Sequence, residues 1–270
     1  MQAASKQAID PTYFKGAAEF RQRCGMLLEA SLRASVGLRS FALTKTVVEA
    51  VSIFKIGCRG AEEKDIKWFD SIMQKQYAIL PRLEITNTKV EGDKFPEMAT
   101  EDVLMVSMDL GRVHAENFTK QKIAMCQKQG IPPQVALQQY REGWWFLITG
   151  ERLDGETPAS CAKIKTEGTM LEKIDDADMA RFEKSSFEER LLTAWPMIVQ
   201  NVAQKSGVVK IKFSAPSVPG KYRFRITVKS QDFLGADHKF TVEADIVDKS
   251  TVSREEETKK GDEDEGKKDK

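Results

Sequence analysis

The stretch from Ala215 to Val247 constrains this chain more than any other, because its side chains alternate in kind over two long runs. Tyr222, Phe224, Ile226 and Val228 fall on one face while Arg223, Arg225, Thr227 and Lys229 fall on the other, and Phe240, Val242, Ala244 and Ile246 repeat the pattern. A period of two is that of a strand half-buried against a core. Pro219-Gly220 supplies the turn that starts the first strand. Tyr222, two residues beyond it, predicts a tyrosine corner at the head of a late strand in a β-sandwich.

The residues between these strands are more specific than the alternation. The order A-P-x-x-P-G-x-Y, a strand, S-x-x-aromatic-x-G-x-D and a closing strand is carried by Ala215, Pro216, Pro219, Gly220, Tyr222, Ser230, Gly235 and Asp237. Upstream, Glu142-Gly143-Trp144-Trp145-Phe146-Leu147-Ile148 forms a tryptophan-rich strand, and Asp, Glu and Lys dominate the C-terminal tail. Across most of residues 81–270 this resembles the last sandwich of the Sec sixty-three family, translocation proteins of the endoplasmic reticulum. Gln231, Asp232 and Phe233 depart from the family pattern, which has Asp, Ser and Tyr there. The resemblance implies an immunoglobulin/fibronectin type III-like sandwich preceded by helices. It also implies a non-catalytic scaffold in post-translational protein import, on the cytosolic face of the endoplasmic reticulum membrane. The implied partners are subunits of the Sec channel and a Sec sixty-two-type protein. Family members also carry membrane helices and a J domain with a His-Pro-Asp tripeptide; here His114 and His238 precede Ala115 and Lys239, so that chemistry is absent from these residues. The chain is therefore expected to be a fragment or a separately encoded soluble portion.

A length of 270 residues with 41% hydrophobic content supports one or two domains with real cores. With 42 basic and 41 acidic residues the overall field exerts little pull on nucleic acid, and none is expected as a partner. Cys24, Cys58, Cys126 and Cys161 are scattered without a C-x-x-C pair, and the first thirty residues lack the charged-then-apolar form of a signal peptide. A reducing, cytosolic-side location is the expectation. No apolar run approaches the roughly 20 residues of a membrane-spanning helix, so no membrane insertion by this chain is expected.

The predicted fold class is α+β: an N-terminal helical bundle over 14–80, a sandwich over 81–250 with a helical insertion at 167–207, and a disordered charged tail over 251–270. Phe20, Cys24, Leu27, Leu28 and Leu32, then Leu43, Val47, Val48, Val51 and Phe54, follow three- and four-residue spacing around a break near 37–40. They predict two antiparallel helices. A third is expected over Glu62–Gln76, with Ile66, Phe69, Ile72 and Met73 on one face. The period changes at Leu80-Pro81, where the domain boundary is set. A strand is expected from about Val103 to Phe118, with a bulge or bend at Gly111, followed by a long connection with short helical pieces over 119–141.

Within 167–207 the spacing of Phe182, Phe187, Leu191, Leu192 and Trp195 is helix-like, and Pro196 is expected to end one helix and start the next. Two readings stay open for this insertion: a packed decoration, or a docking helix anchored by Phe182, Phe187 and Trp195. The tail from Arg254 to Lys270 has no apolar residue and carries eight acids against six bases. Such a composition cannot offset its ordering entropy.

No catalytic motif stands out: there is no G-x-S-x-G, Walker A or H-E-x-x-H sequence, and the two histidines are 124 positions apart. No catalytic residue, metal or cofactor is assigned. Asp175, Asp176 and Asp178 read as the acidic first turn of a helix. Trp144 and Trp145 face opposite sides of a strand, one into the core. The candidate binding residues are Lys210, Lys212, Arg223, Arg225 and Lys229, which form a cationic stripe if their two strands share a sheet; the alternative is a solvated outer face. The loops around Pro219-Gly220 and Gln231–Gly235 are equal candidates. Two other functions stay open: the regulatory C-terminal module of a Ski-two-like RNA helicase, whose cassettes end in a similar helical-plus-sandwich unit, and an unrelated fibronectin-like adaptor.

Overall fold

A computed structural model describes residues 11–56, 81–138, 141–155, 159, 164, 166–185, 190–233 and 235–252. Two helices open it, α1 (Pro11–Gly37) and α2 (Phe41–Ile56), which pack on each other across the break expected at 37–40. Ser40 closes the turn: its Oγ accepts from Leu43 N at 3.3 Å and its carbonyl from Thr44 N at 3.0 Å. The helix expected over Glu62–Gln76, and the tail beyond Val252, lie outside the described residues.

Seven strands follow among the described residues: β1 (Leu83–Gly92), β2 (Val103–Arg112), β3 (Glu142–Arg152), β4 (Leu191–Val199), β5 (Ser206–Ser214), β6 (Gly220–Ser230) and β7 (His238–Ile246). They form two antiparallel sheets, ordered β1-β2-β5 and β4-β3-β6-β7. The inner faces share one core. Leu104, Val106, Met108, Ile211 and Phe213 come from the first sheet, and Trp144, Phe146, Ile148, Phe224, Ile226 and Val228 from the second. Phe213 meets Phe224 edge to face across the sandwich at 5.1 Å. Each of these side chains contributes roughly 1.5–3 kcal/mol by leaving water.

The tyrosine corner forms as the sequence predicts. Tyr222 Oη donates to the Val218 carbonyl at 2.8 Å, and burial raises the phenol's pKa, so the hydroxyl stays a donor. The two tryptophans split as expected, Trp144 fully buried in the core and Trp145 half-buried on the other face.

Three expectations are corrected. The strand expected to run to Phe118 ends at Arg112, and α3 (Ala115–Lys128) with the short α4 (Pro133–Gln138) occupies the connection. Leu104, Val106, Met108 and Leu110 do form the buried face, but the periodicity does not continue beyond Arg112. Gly111 pairs regularly with Glu84 and Ser206; the irregularity lies in β1 between Thr86 and Lys89, where Asn87 adopts a φ of 51°.

The third correction concerns 167–207. Among the described residues there, only α5 (Asp176–Ser185) is an α-helix; Leu191–Val199 is an edge strand of the four-stranded sheet, with Pro196 opposite Trp145. Proline is tolerated on an edge strand because the ladder on one side only is needed. A register shift opposite Ile148 and Thr149 lets the consecutive Leu191 and Leu192 both be buried, which erases the period of two and mimics a helix. At the start of α5, Asp175 Oδ1 accepts from Asp178 N at 2.7 Å, the capping role its acidic first turn suggests.

Candidate partner-binding surface

The five cations expected to form one stripe are divided. Lys210 and Lys212 lie on β5 in the first sheet, whereas Arg223, Arg225 and Lys229 lie on β6 in the second. Most are also neutralised by acids on neighbouring elements. Lys212 meets Asp93 at 2.7 Å, Arg223 donates twice to Glu243 at 2.8 and 3.0 Å, and Arg225 pairs with Glu151. Lys229 is 3% exposed and sits between Glu49 of α2 and Asp237. It is an internal latch rather than a surface cation. Among the described residues Lys210 alone of the five has no ion pair.

The loop with the recognisable motif fixes the helices to the sandwich. Ser230 Oγ accepts from Asp232 N at 3.2 Å and Phe233 N at 3.0 Å, and the Ser230 carbonyl accepts from Ser52 Oγ of α2 at 2.8 Å. Asp232 accepts from Gly143 N and pairs with Lys55. Gly235 has a φ of 84°, a left-handed conformation that disfavours any side chain. Pro216 is buried, and Gly220, at φ 150°, holds a conformation that disfavours a side chain; a Cβ there would lie 2.7 Å from the Asp154 carboxylate, which would have to shift. These motif residues therefore hold the structure. Their α2 partners Glu49, Ser52 and Lys55 carried no sequence signal beyond helix periodicity.

A second polar group lies at one end of the sandwich and was not anticipated. Glu142, fully buried, accepts at Oε1 from Trp144 Nε1 (2.7 Å) and Arg112 Nε (3.2 Å), and at Oε2 from Arg112 Nη2 (2.7 Å). His114 Nε2 is 2.9 Å from the same Oε2, while its Nδ1 stands 3.0 Å from both the amide nitrogen and the carbonyl oxygen of Arg82. Arg112 Nη1 also donates to the carbonyls of Val202, at 3.1 Å, and Gln204. The arrangement ties β2, β3 and the β4–β5 connection together, and its carboxylate is shut off from any substrate. No group of three or more metal-ligating side chains occurs among the described residues, and no helix among them is long and apolar enough to cross a membrane.

What remains open is the seam between the edge strands β4 and β5. A groove of about 320 Å³ runs there, with Trp195, Met197 and Val199 on one wall and Leu110, Val208 and Val209 on the other; Lys210 stands at its rim and Arg112 beneath it. Trp195 pairs with Phe146 and Met197 with Trp144 across the ladder, so both project toward the inner face. The core does not cover them fully: Trp195 remains 46% and Val208 65% exposed. Trp195 was one of the expected anchors, here on a strand instead of a helix. Phe182 and Phe187 lie outside what is described of the side chains.

No family model and no curated protein matches this chain. Among solved structures it is similar to a CARDB domain from Pyrococcus furiosus in complex with di-metal ions, at 9% identity and a TM-score of 0.29, over 62% of this chain and 89% of that one. It is also similar to the PmoD soluble domain of a Methylocystis species, at 10% identity and a TM-score of 0.24, over 61% and 90% of the two chains. β-Glucosidase 3B of Thermotoga neapolitana, with α-D-glucose, aligns at 11% identity and a TM-score of 0.25, over 60% of this chain and 16% of that one.

Proposed function

We propose that this chain is a non-catalytic, protein-binding scaffold of the Sec translocation machinery, acting at the cytosolic face of the endoplasmic reticulum membrane during post-translational import. One observation carries the reading: the loop that resembles the Sec sixty-three family joins α2 to the sandwich, with Ser52 on the Ser230 carbonyl, Glu49 on the Lys229 ammonium that Asp237 also accepts from, and Lys55 on Asp232, where the family pattern has Ser. A sandwich locked to its own helices is a rigid body, suited to bracing other subunits rather than turning over a substrate.

The strand order supports the finer form of the fold. In constant-type immunoglobulin domains the fourth strand pairs beside the fifth, in the same sheet as the first two. Here β4 pairs with β3 instead, which favours a fibronectin type III-like sandwich. A helical bundle over 14–80 belongs to the same reading. The partners are the channel subunits and a Sec sixty-two-type protein. The cations of β6, already paired with acids, leave little free charge for nucleic acid.

The test is purification of the tagged chain from gently solubilised membranes, with quantitative mass spectrometry against an untagged control. Enrichment of the channel and the Sec sixty-two-type subunit is the expected result. Enrichment of an RNA helicase core in their place would reject this reading in favour of a helicase module.

A further inference from the structure

The two edges of the β4–β5 seam differ in a way that selects a binding mode. β4 carries Pro196 mid-strand, which has no amide hydrogen and so interrupts any new ladder along that edge. β5, Ser206–Ser214, has no proline. Its register with β2 is continuous from Val103↔Ser214 to Gly111↔Ser206. The bonds that flank this ladder, Arg112 N to Lys205 O and Ala215 N to Asp102 O, fix its phase. Hydrogen-bonded and non-hydrogen-bonded pairs alternate in an antiparallel ladder, so the odd-numbered residues of β5 direct their main-chain groups at β2. Val208, Lys210 and Lys212 then direct theirs outward, where no strand pairs with β5 among the described residues. An edge of this kind is a template for another strand.

We infer that the outer edge of β5 is a strand-addition site for an extended segment of a partner protein in which apolar side chains alternate with acidic ones. The inference rests on the scaffold reading and names the surface and partner chemistry it requires. The added strand extends the β1-β2-β5 sheet, so every second side chain of the segment points into the groove against Trp195, Met197 and Leu110. Those positions call for apolar or aromatic residues. The intervening side chains lie on the outer face of the sheet beside Lys210, which has no ion pair among the described residues, and Lys212, whose exposed ammonium group is shared with Asp93; the Lys210 charge there favours carboxylates. Edge lysines also discourage indiscriminate pairing, so an acidic segment is accepted where a neutral or basic one is repelled. Beneath the site, Arg112 and Glu142 hold the β4–β5 connection and keep the groove preformed.

The experiment titrates the full chain, isotopically labelled, with a synthetic ten-residue peptide alternating valine and aspartate. The controls are a valine–lysine peptide and a valine–aspartate peptide N-methylated at alternate residues. Binding of the first peptide alone is expected, with slowed hydrogen exchange at the Val208 and Lys210 amides. Trp195→Ala and Lys210→Glu, both confirmed folded by their spectra, are expected to weaken it about tenfold or more. Lys239→Glu, on the far edge strand, is expected to leave it unchanged. Absence of binding up to about 1 mM peptide, equal binding by all three peptides, or indifference to Trp195→Ala would overturn the inference. Concentration-dependent protection of the Val208 amide in the free chain would also overturn it, since the edge would then be occupied by a second copy. If the peptide fails while the tagged chain still enriches the Sec channel, only the β5 site falls. If the peptide binds while the channel is not enriched, the site stands and the translocation reading falls.

Discussion

The two flanks of the four-stranded sheet differ in how they are closed. At the β6 side, α2 is held down by an internal lysine between two carboxylates, a serine hydroxyl on a strand carbonyl and a lysine–aspartate pair. At the β4 side, the Trp195 indole stands nearly half exposed over a groove, across which Val208 of β5 is 65% exposed and Lys210 has no ion pair among the described residues. The closed flank holds Ser230, Gly235 and Asp237 of the motif, while Pro216, Pro219, Gly220 and Tyr222 lie toward the other end of β6. None of them lines the open groove. Recognisable sequence here marks what the fold needs to cohere, while the surface free to meet a partner is made of ordinary residues whose exposure is set by strand order.

This contrast can be broken by substitutions that should act on stability at the closed regions and on binding at the open one. The largest expected effect is Glu142→Ala, which leaves the buried Arg112 guanidinium without its carboxylate; a loss of about 3–5 kcal/mol is expected in urea unfolding. Replacing Arg112 by methionine and Glu142 by leucine together should cost much less than that, because no buried charge is left unmatched. Lys229→Ala is expected to cost about 1–3 kcal/mol, less than a fully buried pair because Glu49 and Asp237 keep about a third of their surface in water. Reversing the same residue to Glu should be worse, which separates it from the surface cations Arg223 and Arg225. Tyr222→Phe removes a single hydroxyl donor and should cost about 1 kcal/mol.

The smallest effect is one of pH. Burial lowers the His238 pKa from its ordinary 6.5, against an opposing pull from Asp237, and Leu83 N donates to its Nε2 at 3.3 Å. The folded state therefore binds this proton less readily than the unfolded chain. The stability it contributes is present above the unfolded value and is lost as pH falls from about 6.5 through the lowered folded value. Thermal unfolding followed from pH 7.5 down to 5 should show this decline, and His238→Gln should flatten it.

The hairpin of β6 and β7 was legible because alternation, a Pro-Gly turn and a tyrosine corner all point to one structure. So was the break between α1 and α2, where periodicity stops at Gly37. β4 was not legible, since a bulge and a proline removed the alternation that betrays a strand. The end of β2 was missed although the alternation itself stops there: the even-numbered face of Leu104 to Leu110 continues as Arg112 and His114, Val113 and Ala115 fall on the other face, and the chain turns at His114 into α3. The cationic stripe failed because strand partnership, which placed β5 and β6 in different sheets, is a long-range property that no local pattern carries. The Arg112–His114–Glu142 group was hidden likewise, its members joining only when β2 and β3 are brought face to face.

The most direct measurement is hydrogen–deuterium exchange on the full chain, alone and in its membrane complex. New protection over 195–210 is expected on assembly, with 229–233 and 235–237 already protected in the free chain and unchanged. Protection gained only at 229–233 and 235–237 or at Arg223 and Arg225, with 195–210 exchanging as before, would contradict this expectation.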